Sequence, residues 1–115
     1  MERRFRLKKE GTFKYVFNKG IRFPAKDFVL VTAPSKEGLK IGFSVSKKCG
    51  KAVVRNKIKR RLRVIVTELI PTLNKDYFYV FITKDSIAER SFQELEEEVK
   101  LVFDNAKKNQ ENKLS

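Results

Sequence analysis

Histidine is absent from all 115 residues, and cysteine occurs once, at Cys49. Without histidine the chain lacks the commonest general acid or base and the commonest metal ligand. A nuclease working by its own acid–base chemistry is therefore not supported. A lone cysteine makes no internal disulfide and excludes a cysteine-based zinc site; it fits a reducing cytoplasm. Its ordinary role is that of a small apolar residue at a strand end. No apolar run approaches the roughly 20 residues of a membrane span, and there is no signal-peptide core. No internal repeat occurs, and no linker is long enough to divide the chain.

Negative charge is also scarce. Lys plus Arg number 27 against 14 Asp plus Glu, for a net charge of +13. With a pI near 10.0, a polyanionic partner is the leading expectation. From Gly38 to Thr67 there is no Asp or Glu at all, yet Lys40, Lys47, Lys48, Lys51, Arg55, Lys57, Lys59, Arg60, Arg61 and Arg63 all fall there. A solvated helix face intersperses acids with bases; this segment does not. Residues 85–104 hold seven acidic residues against Arg90 and Lys100, so that end should face solvent, away from the polyanion.

The densest basic stretch runs from Arg55 to Arg63. At about 100° per residue it places Asn56, Lys59, Arg60 and Arg63 on one helical face and Ile58, Leu62, Ile65 and Leu69 on the opposite one. The apolar side docks on a core, and the guanidinium forks remain free to take phosphate oxygens in pairs. A membrane-surface helix would need that apolar face for lipid.

Periodicity gives the remaining elements. A short helix is expected over about Gly11–Lys19, with Phe13 and Phe17 one turn apart, Tyr15 opposite them, and Gly20 as its stop. Ile21–Phe23 reads as a brief strand broken by Pro24, and Phe28–Ala33 as a strand ended by Pro34. Leu39–Ser46 alternates, with Leu39, Ile41, Phe43 and Val45 toward the core and the other face available. A basic loop, Lys47–Lys51, precedes the helix, which runs from about Val53 to Leu69 and is closed by Pro71. Tyr77–Thr83 is a continuous apolar strand. Ser91-Phe92-Gln93-Glu94 is a capping-box pattern opening a helix to about Lys107. Its core stripe is Leu95, Val99, Val102 and Phe103. The expected fold is α+β, a single-domain α-β-β-β-α-β-α sandwich in which helices cover a four-stranded sheet. Residues 1–107 form one RNA-binding domain, and 108–115 a polar, disordered tail.

Most of the ten phenylalanines are core: Phe43, Phe78, Phe81 and Phe103 sit in apolar runs. Phe13 and Phe17 are different, because Lys8, Lys9, Lys14 and Lys19 flank them. Aromatics beside cations are how single strands are held, with bases stacked and phosphates tracked. Glu94, Glu96, Glu97 and Glu98 read as a solvated acidic face, with Glu94 as a cap. Ser44 and Ser46 lack any nucleophile context.

Several strings together resemble the protein-subunit family of bacterial ribonuclease P. They are Phe13-Lys14-Tyr15-Val16-Phe17, Ile41-Gly42-Phe43-Ser44-Val45-Ser46-Lys47-Lys48, Gly50-Lys51-Ala52-Val53 and Arg55-Asn56-Lys57-Ile58-Lys59-Arg60. The likeness extends from Arg6-Leu7-Lys8-Lys9 to the final helix. It implies a left-handed βαβ crossover through the basic helix, against the usual right-handed rule. It implies that catalysis belongs to an RNA and that no protein residue is catalytic. By resemblance, Arg55, Asn56, Lys57, Lys59, Arg60 and Arg63 contact that RNA. Phe13, Phe17, Ser44, Lys51 and Lys84 line a cleft for the single-stranded 5′ leader of precursor tRNA. The family's usual Arg-Asn-Arg has Lys57 in third place here, which keeps the charge and loses the fork.

The sequence is thus expected to encode the non-catalytic subunit of a cytoplasmic endoribonuclease. Its partners would be the catalytic RNA and precursor tRNA, with no membrane and no small-molecule substrate. No cofactor or metal is assigned to the protein itself; magnesium is expected on the RNA of the holoenzyme. A small basic ribosomal protein shares the size, the charge and the missing catalytic set. It would not need aromatic rings exposed beside an open sheet face.

Overall fold

The striped helices and alternating strands assemble in the order α1 (Glu10–Lys19), β1 (Ile21–Pro24), β2 (Phe28–Pro34), β3 (Lys40–Ser44), α2 (Ala52–Leu69), β4 (Tyr77–Thr83) and α3 (Phe92–Leu114). The computed structural model describes the backbone of residues 1–114 and the side chains of residues 1–112. Short 3₁₀ turns occupy Arg3–Phe5, Lys47–Cys49, Ile70–Thr72 and Asp85–Glu89.

The strands form one sheet in the order β1-β2-β4-β3. β2 is antiparallel to both β1 and β4, whereas β3 and β4 are parallel neighbours joined through α2. Alternation then sorts the side chains. On one face Leu30, Ile41, Tyr79 and Phe81 are buried with Ile58, Leu62, Ile65 and Val66 of α2 and Leu95, Val99, Val102 and Phe103 of α3. On the other, Val31, Ala33, Phe78 and Val80 are buried with Val16 of α1. The result is an α+β sandwich with the sheet as its middle layer. Burying each Val, Leu, Ile or Phe side chain among these contributes about 1.5–3 kcal/mol. The outer edge of β3 is covered by the N-terminal segment, where the Leu7 N–H donates to the Ile41 carbonyl at 2.9 Å. Among the described residues no helix is long and apolar enough to cross a membrane.

Several boundaries differ from those read in the sequence. Pro24 belongs to β1, paired with Val29; β1 is an edge strand, where a missing N–H is tolerated. β3 spans Lys40–Ser44 rather than Leu39–Ser46. Its last partner is Ile82, and from Ser46 the chain turns: the Cys49 N–H donates to the Ser46 carbonyl at 3.1 Å. Gly50, at φ 135°, then admits a backbone path to α2 that a side chain would resist. The basic loop is therefore in part a 3₁₀ turn. Cys49 is buried between the Thr83 hydroxyl at 3.4 Å and the Lys84 carbonyl at 3.5 Å.

The largest correction concerns the C-terminus. Residues 108–114 continue α3 instead of forming a disordered tail; Ser115 lies outside the described residues. Gln110 is buried and its amide donates to the Tyr79 hydroxyl at 3.1 Å. One polar side chain thus satisfies a buried phenol and docks the last turns. The start of α3 follows the capping-box pattern: the Glu94 N–H donates to Ser91 Oγ at 3.1 Å and the Ser91 N–H to Glu94 Oε1 at 3.0 Å.

Candidate nucleic-acid interface

α1 crosses one face of the sheet and covers only part of it. Phe13 and Phe17 lie on the side that meets the strands, their rings 6.1 Å apart and tilted by 48°. Both are half-buried and pack around the Val16 cluster together with Val29 and Ile82. The Phe13 ring sits directly over Gly42. The face of β3 expected to be available is therefore closed at Gly42 and open at Ser44. Register places Ser44, Ile82, Val29 and Pro24 in one row across the four strands. The first three are half-buried and Pro24 is exposed. The row is partly exposed, and the two aromatic rings pack next to it.

Cations stand at the end of this row. Lys84 follows β4 and is exposed; its Nζ donates to the Ala25 carbonyl at 3.1 Å and its N–H to the Asp27 carbonyl at 2.9 Å. Lys84 is thus tied to the β1–β2 turn, not to the aromatic pair. The bond from Cys49 Sγ to the Lys84 carbonyl brings the Lys47–Cys49 turn alongside. Lys51 is exposed at the entry to α2.

α2 divides as its spacing requires. Ile58, Leu62, Ile65 and Val66 are buried, Asn56, Lys57 and Arg60 are exposed, and Arg55, Lys59 and Arg63 are half-buried. The Nε atoms of Arg55 and Arg63 are covered and make no hydrogen bond within the protein. Arg61 points elsewhere: its Nη1 donates to the Arg90 carbonyl at 3.2 Å. A hollow of about 260 Å³ brings the two helices together. Its lining includes Phe13 of α1, Lys59 and Arg63 of α2, Gly42 and Phe43 of β3, and Arg6 and Lys8. From the sequence Lys8 is expected only as a cation flanking the aromatic pair and Arg6 has no assigned contact, because their segment reaches the site by pairing with the edge of β3. Phe43 is half-buried and packs against the core as expected, stacked on Phe81 at 5.4 Å.

The acidic residues are not uniformly solvated. Asp27, in the β1–β2 turn, is fully buried and takes the Arg90 Nε on both oxygens, at 2.9 and 3.1 Å. Its N–H donates to Glu98 Oε1 at 2.9 Å. Burial alone would raise the Asp27 carboxyl; hydrogen bonds with Glu98, Ser86 and Arg90 outweigh it and hold the group below its ordinary value. Glu98 goes the other way, pushed up to about 7 by burial and by the neighbouring Asp27. Asp27 keeps the charge and Glu98 the proton. Glu98 thus departs from the solvated face expected there; Glu94 and Glu97 are exposed, and Glu96, half-buried, pairs with Lys100 at 3.7 Å. Nothing in the local sequence pattern signals this contact, which spans 71 residues.

The chain and its fold have counterparts. The chain matches the family model described as Ribonuclease P over residues 1–107. It is 38% identical over 109 residues to the ribonuclease P protein component of Ligilactobacillus salivarius (strain UCC118), covering 93% of this chain and 96% of that one. The ribonuclease P protein component of Bacillus cereus (strain AH187) is 38% identical over 105 residues, covering 90% and 91%. Among solved structures, the RNase P protein of Staphylococcus aureus matches with a TM-score of 0.80 at 30% identity, covering 90% of this chain and 95% of that one. The RNase P protein from Thermotoga maritima matches with a TM-score of 0.77 at 25% identity, covering 85% and 94%.

Proposed function

Since the chain belongs to the ribonuclease P protein family, we propose that it is the non-catalytic subunit of a cytoplasmic ribonucleoprotein that removes 5′ leaders from precursor tRNA. The observation that carries this is the partly exposed row of Ser44, Ile82 and Val29 next to Phe13 and Phe17, which we read as the leader cleft, with the acid-free stretch from Arg55 to Arg63 of α2 around the edge of β3. Bases of the single-stranded leader stack on the rings while Lys51 and Lys84 track its phosphates. Arg55, Asn56, Lys57, Lys59, Arg60 and Arg63 hold the phosphate backbone of the catalytic RNA.

Hydrolysis of the phosphodiester belongs to that RNA and to magnesium held on it. The protein contributes cations that offset repulsion between two RNAs, and it grips the one part of the substrate a polyanion would repel. The test adds this protein to a catalytic RNA and measures binding of precursor and mature tRNA. The expected result is a larger gain for the precursor. Equal gains for both would contradict the leader reading and favour a purely structural RNA-binding role.

A further inference from the structure

α1 carries a third aromatic residue that the cleft does not use. Tyr15 is 41% exposed, its hydroxyl donates to the Pro34 carbonyl at 3.2 Å, and its ring meets Phe78 edge-on at 6.2 Å. Tyr15, Pro34 and Phe78 line a mainly apolar hollow of about 480 Å³, with Thr12, Lys36 and Glu37 at its margin. Thr12 and Glu37 also line a second hollow, of about 240 Å³, whose other walls include Arg3, Arg6, Lys8, Lys9 and Lys40. Glu37 is the one acidic residue among the residues lining either hollow.

Resting on the leader reading of the cleft, we infer that these two adjoining hollows form a second site for an unpaired leader nucleotide, farther from the cleavage point than those over Phe13 and Phe17. The Tyr15 ring takes the base, and the cationic hollow takes the neighbouring phosphate. An exposed ring next to concentrated positive charge is the chemistry of single-stranded RNA. The leader is unpaired, whereas a folded RNA offers few free bases. Glu37 stands between the hollows, repels phosphate, and accepts hydrogen bonds from a base amino group or a 2′-hydroxyl. It therefore orients the nucleotide with its base toward Tyr15. On the far side of the Phe13 ring, the 260 Å³ hollow that contains Phe13 shares Arg6, Leu7 and Lys8 with the cationic hollow. A strand leaving the cleft thus rounds the N-terminal end of α1 without leaving positive charge.

The experiment uses the assembled holoenzyme and precursors whose leaders are lengthened one nucleotide at a time. Affinity is expected to rise in two steps, the second when the leader outgrows the cleft. Tyr15→Ala removes the second step, a loss of about fivefold or more for long leaders, the low end of one base–aromatic stack. Affinity for short leaders stays unchanged, and Tyr15→Phe keeps both steps. Arg3→Gln with Lys9→Gln, both at exposed positions, lowers the second step as well and decides the matter if Tyr15→Ala fails to fold. A first step without a second overturns this site alone; absence of both steps in the unaltered protein overturns the cleft reading with it. Loss of catalytic-RNA binding by Tyr15→Ala, with no precursor present, also overturns the assignment, since the occupant would then be that RNA.

Discussion

The Phe13 ring lies on Gly42 so closely that a Cβ at residue 42 would stand 2.7 Å from two ring carbons. The glycine is what lets α1 sit down on β3, and so it sets the height of the aromatic wall above Ser44. Gly42→Ala should lift or turn the ring. Overpacking of this kind costs about 1–3 kcal/mol. The expected outcome is a lowered melting temperature together with weaker precursor binding, while affinity for the catalytic RNA holds. A melting curve and two titrations measure it; normal precursor affinity would show that the Phe13 position is not critical.

Binding to the catalytic RNA should fall steeply with salt, because each phosphate contact releases counterions. Arg60 is exposed on the charged face of α2. Arg60→Ala should flatten the log–log salt slope by about one unit and leave folding intact. An unchanged slope would remove Arg60 from the interface.

Glu98 makes stability depend on pH in a definite direction. Its folded value of about 7 lies above the 4.5 of the free side chain, so the native state holds the proton more tightly than the unfolded chain. Its contribution is full below the unfolded value and is lost as pH rises through the folded one. Asp27, held below 3.8, contributes above that value and loses its contribution as pH falls through its folded value. Glu98→Gln should therefore gain on the unaltered protein in melting temperature between pH 5 and pH 8. A difference that stays constant over that range would contradict proton holding by Glu98.

The parts of the fold legible in the sequence are those set by local periodicity. β4 matches its expected bounds, Tyr77–Thr83, because an apolar run of that length has one use in a small α+β domain. The buried stripe of α2 follows Ile58, Leu62 and Ile65. What escaped was set by contacts distant in sequence. The polar 108–114 stretch gave no sign that Gln110 would meet the Tyr79 hydroxyl. Arg90 reads as a lone base in an acidic segment until the β1–β2 turn brings Asp27 to it. The same holds for the interface. Spacing placed Lys59 and Arg63 on one face, but not beside Phe13, because α1 and α2 lie on opposite sides of the sheet and meet only around the edge of β3.

The most direct measurement of the account is Phe17→Ala in the holoenzyme, read by one melting curve and two binding curves. Phe17 is half-buried, so truncation should cost less than the roughly 3–5 kcal/mol of a fully buried ring. The lost base stack is worth about 1–3 kcal/mol. The account predicts a folded protein that binds precursor tRNA about tenfold more weakly and mature tRNA, which has no leader, as before. A large drop in melting temperature with equal losses for both substrates would contradict it, because Phe17 would then be serving the core and not the leader.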